Sequence, residues 1–263
     1  LGSHGGISAS PLNVENAGPG SVTLKADSYT PLKHVTKVTL FGSVDRIELE
    51  NYILENIGAD PVTYAFSFNL TEPEIWHEEA GAILKARQQS DGGHYSDSIC
   101  RLDWIAMNHF ADISDGNSGM VISNRDAIFM KTGNSTIKWL DPMTPQIRIL
   151  AGGQIDAPDL GIVNQDGDSY FENFFALRPD KNGLDGASDM KFSLEHQNPL
   201  VAGRIDGQSG YNNQRFSLFE ISNPDVLVWA LKPAEEGIEN GIIMRVWNMS
   251  DQDEDFVISS SSL

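Results

Sequence analysis

The chain has 263 residues, 40% of them hydrophobic, and its 37 acidic against 18 basic side chains give a formal charge of −19. A chain of this length and composition buries a core without staples and is not intrinsically disordered. The acidic balance, with no Lys/Arg cluster, excludes a nucleic-acid phosphate backbone as partner, and no apolar run approaches the roughly 18 residues of a membrane-spanning helix.

In chain order, the opening "LGSHGGISAS" has neither a basic nor an apolar leader region and is expected to be an added or flexible lead. Gly, Ser, Ala and Pro punctuate the chain to residue 30, where mostly loop and one short strand at "SVTLKA" are expected. From Lys37 the pattern alternates: "KVTLFGSVDRIELENYILEN" places Ile47, Leu49 and Ile53 on one face and Arg46, Glu48 and Glu50 on the other. Period-two alternation marks a half-buried strand. "VTYAFSFNL" continues the theme.

"EEAGAILKARQQ", Glu78 to Gln89, is the longest helix candidate, although Gly81 interrupts it. "AIFMK", "QIRIL" and "FENFFAL" follow as short strands between turn formers such as "SDGNSG", "KTGN" and "DPMTP". "ASDMKFSLEHQNPL" fits either state and ends at a proline. The C-terminal "FSLFEIS", "VLVWALK", "GIIMRVWN" and "EDFVISS" are expected to form four consecutive antiparallel strands. The fold class is therefore mainly β: a large antiparallel two-sheet sandwich with at most one or two short helices. The expected divisions are a lead with a leading strand over 1–30, the large sandwich over 31–225, and hairpin strands over 226–263 that pack on or continue it.

Local chemistry is sparse. The six histidines form no HxD, HExxH or HxxxH spacing; "HEE" at His77 and "HFAD" at His109 come nearest, and surface or hydrogen-bonded structural histidines are the simpler reading. "GNSG" and "GQSG" fall one residue short of a GxSxG nucleophile elbow. Asp166, Asp168 and Glu172 in "NQDGDSYFE" lack the spacing of a calcium loop. Cys100, the only cysteine, reads as a buried structural thiol, and a chain with one cysteine tilts toward a reducing compartment such as the cytoplasm. Trp104, Trp139, Trp229 and Trp247 sit in alternating runs, where core packing is the expected role of most of them. Paired carboxylates abound, but spacing along the chain cannot show the roughly 5–10 Å separation across a bond that glycoside hydrolysis requires. The acidic turn with Glu235, Glu236 and Glu239 is read as the end of a hairpin, with Lys232 and Arg245 as screening partners.

That hairpin carries a resemblance. "VLVWALKPAEEGIENGIIMRVWN" resembles the C-terminal hairpin of the α-mannosidases of glycoside hydrolase family 38 at Lys232, Pro233, Ala234, Glu235, Gly241, Arg245 and Asn248. "VTLFGSVDRIELENYI", "WIAMNHFADISDGNSGMVISNRDAIFM" and "FENFFALRPD" with "LEHQNPLVAG" are similar to further stretches of that family, in the same order, between about Lys37 and Val257. Two departures stand out. The family's Leu-Tyr-Pro-His is here Leu177, Arg178, Pro179 and Asp180, and its Asn-Asp pair is Asn124 and Asp126, split by Arg125. The family's last strands have no counterpart before Leu263.

The resemblance implies a galactose-mutarotase-like super-sandwich. It also implies that the zinc ligands and catalytic carboxylates belong to an N-terminal catalytic domain outside this sequence, so this chain is expected to hold no metal and to be inactive alone. Its implied role is to buttress that domain in an enzyme that hydrolyses α-mannosides and binds mannose-containing glycans. Candidate sugar-cleft or interdomain contacts are Asp112, Asp115, Asn117, Asn124, Arg125 and Asp126, whose compact polar groups suit sugar hydroxyls. The alternatives are a free-standing carbohydrate-binding module, which needs an exposed aromatic platform, and a mutarotase-like epimerase, which needs a His facing a Glu, with His94 or His196 as the histidine.

Overall fold

The computed structural model describes residues 10–87, 100–155, 167–204, 206–207 and 216–260. The chain divides into two compact units: residues 1–184 with 192–198, and residues 185–191 with 199–263.

In the first unit thirteen strands form two sheets. They are β1 (Asn13–Ala17), β2 (Ser21–Ser28), β3 (His34–Phe41), β4 (Ile47–Ile53), β5 (Val62–Ser67), β6 (Glu74–Glu79) and β7 (Ala82–Lys85), followed by β8 (Ile105–Ala106), β9 (Phe110–Ser114), β10 (Gly119–Asn124), β11 (Phe129–Thr132), β12 (Gln146–Gly152) and β13 (Phe171–Asp180). A nine-stranded sheet runs β1-β2-β3-β4-β13-β10-β9-β6-β7, and a four-stranded sheet runs β5-β12-β11-β8. Every strand pair is antiparallel.

One apolar cluster joins the sheets. Ile75, Ala111, Ile113, Ile122 and Phe175 come from the large sheet, and Ile105, Met130, Ile147 and Ile149 from the small one. The cluster takes alternate positions along its strands, as with Ala111 and Ile113 on β9 and Ile147 and Ile149 on β12, so each sheet turns one face inward, the arrangement of a β-sandwich. The Phe175 ring meets Tyr64 at 5.5 Å and Phe66 at 5.4 Å, both edge-on, and so links β13 to β5 across the core. The mainly β, two-sheet expectation therefore holds.

The lead is more ordered than expected. Residues 13–28 form β1 and β2, the edge of the large sheet, rather than mostly loop around a single strand. The helix expected over 78–89 is instead the β6–β7 hairpin as far as Lys85; residues 88 and 89 lie outside the described residues. Ala80 and Gly81 have φ of 50° and 90°, the two-residue, left-handed turn that matches strand twist. The glycine taken as a helix interruption is thus half of a hairpin turn.

The ambiguous "ASDMKFSLEHQ" lies within α1 (Gly186–Gln197). The Asp185 carboxylate accepts the Ser188 N–H at 3.0 Å and its carbonyl accepts the Asp189 N–H, an N-cap, and Pro199 follows the helix. Ala187, Asp189, Met190, Phe192, Ser193 and His196 are all buried along it. Because the covered side mixes polar with apolar side chains, no clean apolar stripe shows in the sequence. No described helix is long and apolar enough to cross a membrane.

The second unit holds two strand pairs: β14 (Glu220–Ile221) with β17 (Ile258–Ser259), and β15 (Val226–Pro233) with β16 (Ile242–Asn248). The four expected consecutive strands are thus a hairpin whose flanking segments pair with each other. "FSLFEIS" contributes only two strand residues. The acidic turn does close the hairpin, and Lys232 Nζ stands 3.3 Å from Glu235 Oε1 on the surface, where such a pair contributes little. The tryptophan expectation is corrected here: Trp139 is 52% and Trp229 41% exposed. Trp229 meets Trp247 edge-on at 5.2 Å, because a two-stranded ribbon has too little surface to enclose both.

Candidate functional site

The six predicted positions fall on or beside β9 and β10, but at three places. Asp115 and Asn117 lie in the β9–β10 turn, whereas Asn124, Arg125 and Asp126 begin the turn at the other end of β10. β10 is six residues long with Asn124 as its last, so its two ends stand about 17 Å apart at ~3.4 Å per residue, and the two turns do not converge on one ligand. Asp112 sits within β9.

The first turn is held by Asp115, whose carboxylate accepts the N–H groups of Asn117 and Ser118 at 3.0 Å and of Thr71 at 3.3 Å. These backbone donors hold its carboxyl below the ordinary aspartate range. Asn117 itself is exposed.

At the second turn Asn124 is 1% exposed. Its amide donates to the carbonyls of Met107 and Ala127 and its oxygen accepts from the N–H groups of Asp126 and Ala127. Asp126 accepts the Phe174 N–H at 2.9 Å, and burial pushes its carboxyl upward. The Arg125 guanidinium lies 5.1 Å over the Phe174 ring. These groups join β10 to β13.

Asp112 is different. It is fully buried, and neither carboxylate oxygen has a hydrogen-bond partner of good geometry, the Ser114 hydroxyl beside it being the nearest approach to one. Burial, with repulsion from Asp180, pushes its carboxyl up to about 7, while the Ser114 hydroxyl and the Arg178 guanidinium pull the other way. One oxygen of Asp180, Oδ2, is also buried without a partner; Oδ1 accepts the Asn182 N–H at 3.0 Å.

Strand register explains the grouping. Asp112 alternates with the core residues Ala111 and Ile113 and so faces outward from the sandwich core. Across the sheet, Ser114 pairs with Gly119 and Gly119 with Asp180; one step along, Trp76 pairs with Asp112, Asp112 with Val121, and Val121 with Arg178. Gly119 has no side chain to separate Ser114 from Asp180. A Cβ there would stand 2.5 Å from the Ser114 Cβ and 2.8 Å from the Ile113 carbonyl. Gly119→Ala is therefore expected to destabilise the chain by about 1–3 kcal/mol through overpacking, read as a lower urea midpoint at unchanged slope.

Ser114, Gly119, Arg178 and Asp180 were not among the predicted site residues. The alternation in "FADIS" and "LRPD" carries the inward/outward sorting, but not the pairing that places those segments two strands apart.

A second polar network lies beneath the C-terminal half of α1. Ser123 Oγ stands 2.9 Å from Ser193 Oγ and 2.8 Å from His196 Nδ1, Ser193 donates to the His109 carbonyl at 2.6 Å, and His109 Nδ1 meets Glu78 Oε2 at 2.6 Å. The Ser123–His196 pair has the spacing of a nucleophile and base. Ser123 is fully buried, however, and burial together with the charges of Arg46 and Arg125 lowers His196 to about 4. A neutral, enclosed imidazole without a carboxylate to orient it fastens the helix to the sheet.

His77 Nδ1 donates to the Ala106 carbonyl, 2.7 Å away, and the ring is fully buried. Among the described residues no three His, Cys, Asp or Glu side chains gather as metal ligands. The epimerase alternative finds His196 on a helix rather than on a sheet strand; His94 and Asp166 lie outside the described residues.

No family model matches this sequence, and no curated protein matches it. Solved structures do. An α-mannosidase from Enterococcus faecalis V583 superimposes at TM-score 0.69 with 11% identity, over 96% of this chain and 31% of that one. A glycosyl hydrolase family 38 protein from Enterococcus faecalis does so at TM-score 0.69 with 12% identity, over 97% of this chain and 32% of that one. An aldose epimerase homologue from C. elegans aligns over 65% of this chain and 69% of that one, with 11% identity, but at TM-score 0.32 supports no argument. At such identities the likeness concerns the fold alone. The chain has the fold of a partial region of these α-mannosidase-type structures and spans about a third of their length.

Proposed function

We propose that this chain is the β-sandwich portion of an α-mannosidase-like glycoside hydrolase and supports a catalytic part located elsewhere in a longer polypeptide. The observation that carries the reading is the superposition on 96% of this chain but 31% of an α-mannosidase. The placement of polar groups agrees with it. On the outward face of β9, Asp112 is buried rather than set about a cleft, and the Ser123–His196 pair is enclosed. Zinc and the bond-breaking carboxylates belong, in this reading, to the catalytic part, together with recognition of mannose-containing glycans. Asp115, Asn117, Arg125 and Asp126, at the ends of β10, are the predicted positions available to contact that part or a bound sugar. Asp112 and Asn124 are enclosed and act through the fold.

The purified 263-residue chain is expected to show no hydrolysis of an aryl α-mannoside, with or without added zinc. Turnover by this chain alone would overturn the reading. A glycan-binding module is the second reading, favoured by the exposed Trp229 beside Trp247. Calorimetric titration with a mannose-rich glycan separates the two: heat of binding that is lost in Trp229→Ala supports the module.

A further inference from the structure

An ionised carboxylate out of contact with water and without a partner costs several kcal/mol, so such a group is protonated, hydrated or bound to an ion. Three carboxylate oxygens are in this position on the outward face of the large sheet: both of Asp112 and Oδ2 of Asp180. The Asp112 side chain is fully enclosed. The strand register sets the two carboxylates on one face: Ser114, Gly119 and Asp180 share a row across β9, β10 and β13, and Asp112 lies two residues from Ser114 along β9. Gly119, between Ser114 and Asp180 in that row, contributes no side chain to separate them. The Ser114 hydroxyl adds a neutral oxygen at the same edge. Gly183, in the loop after β13, also comes close, with its Cβ position 3.6 Å from the Ser114 oxygen.

We infer that Asp112, Asp180 and Ser114 form a binding site for a hard divalent cation, Ca²⁺ before Mg²⁺, which clamps β13 to β9 across Gly119. The donor set is oxygen throughout, the preference of hard cations. Ca²⁺ tolerates irregular geometry and completes its shell of about 6–8 oxygens with waters on the half-buried Asp180 side, whereas Mg²⁺ demands a near-ideal octahedron. With two carboxylates rather than three or four, the site belongs at the weak end of the calcium range, Kd on the order of 0.1–1 mM. Arg178, two strands from Asp112 in the same row, has its guanidinium 5.0 Å over the Phe192 ring. It offsets part of the negative charge on Asp112. The inference stands apart from the proposed function, because it concerns the stability of this chain whether or not a catalytic part exists.

The test is thermal unfolding of the 263-residue chain at pH 8, with CaCl2, with MgCl2 and with NaCl of equal ionic strength, each against EDTA. At ~10 mM CaCl2 the expected rise in Tm is about 3–6 °C, saturating, with a smaller rise for MgCl2 and none for NaCl beyond EDTA. Asp112→Asn and Asp180→Asn should each abolish it. A rise of the same size in both variants, or no rise in the parent, overturns the site. Should the variants not fold, Tb³⁺ luminescence on the parent chain decides. Trp76 pairs with Asp112 across β6 and β9, so Tb³⁺ emission excited through tryptophan should appear, be displaced by Ca²⁺, and fall strongly in Trp76→Phe. Emission unchanged by Ca²⁺ or by Trp76→Phe overturns it.

Discussion

Asp112→Asn is expected to make the chain more stable at pH 8 in metal-free buffer and to flatten its stability between pH 4 and 7. An aspartate of unfolded value 3.8 whose folded value is pushed up to about 7 is the proton-binding partner of the folded state throughout that window. The native chain then holds more protons than the unfolded one, so stability falls as pH rises. The loss begins near pH 4 and is complete above about pH 7. Each pH unit inside the window costs at most about 1.4 kcal/mol, so the whole penalty is on the order of 4 kcal/mol.

Asparagine keeps the shape, removes the charge, and supplies N–H donors for which the buried Asp180 oxygen is a ready acceptor. Urea unfolding in EDTA at pH 4.5, 6 and 8 checks this. The parent should lose stability across the series relative to the variant, with the largest gap at pH 8. Equal stability of the two chains at pH 8 would show that Asp112 already has a compensating partner. Asp180→Asn should act in the same direction, because it removes one of the two like charges.

Phe175→Ala is expected to destabilise the chain by about 3–5 kcal/mol, through lost transfer energy and the cavity left behind. Phe175 is 1% exposed, and its ring lies edge-on against Tyr64 and Phe66 from the other sheet. Truncation therefore removes a contact between the layers, not only within one. The melting temperature should fall by roughly 6–20 °C. Phe175→Leu, which fills most of the volume, should cost about 1–2 kcal/mol, and Trp229→Ala on the exposed hairpin less than about 1 kcal/mol. A loss below about 1 kcal/mol for Phe175→Ala would mean that the two sheets do not share a core.

Much of the fold was legible before any coordinates. The alternation in "RIELENYI", "VTYAFS" and "QIRIL" identifies strands because successive side chains point to opposite faces, a property of the strand itself. Turn formers between short apolar runs pointed to antiparallel β for the same local reason. The misreadings have local causes as well. Gly81 in "EEAGAILK" fits both an interrupted helix and a two-residue turn, and only the pairing of Trp76 with Lys85 decides between them. The covered side of α1 mixes Asp189, Ser193 and His196 with Ala187, Met190 and Phe192, and the partner that satisfies Ser193 and His196 is Ser123 of β10, distant in the chain.

The candidate site shows the same limit. Asp112, Asp115, Asn124 and Asp126 were picked for their chemistry, yet three of them spend their oxygens on nearby backbone groups. The unsatisfied group depends on Asp180, 68 residues further along the chain. By itself the sequence determined the β class, the approximate strands and the absence of local catalytic spacings, because alternation, turn chemistry and ligand spacing act over a few residues. Only the tertiary structure decided that Asp112 is stripped of water beside Asp180 and that Phe175 couples two layers. Register and desolvation are set by strands distant in the chain, and no short stretch of residues contains them.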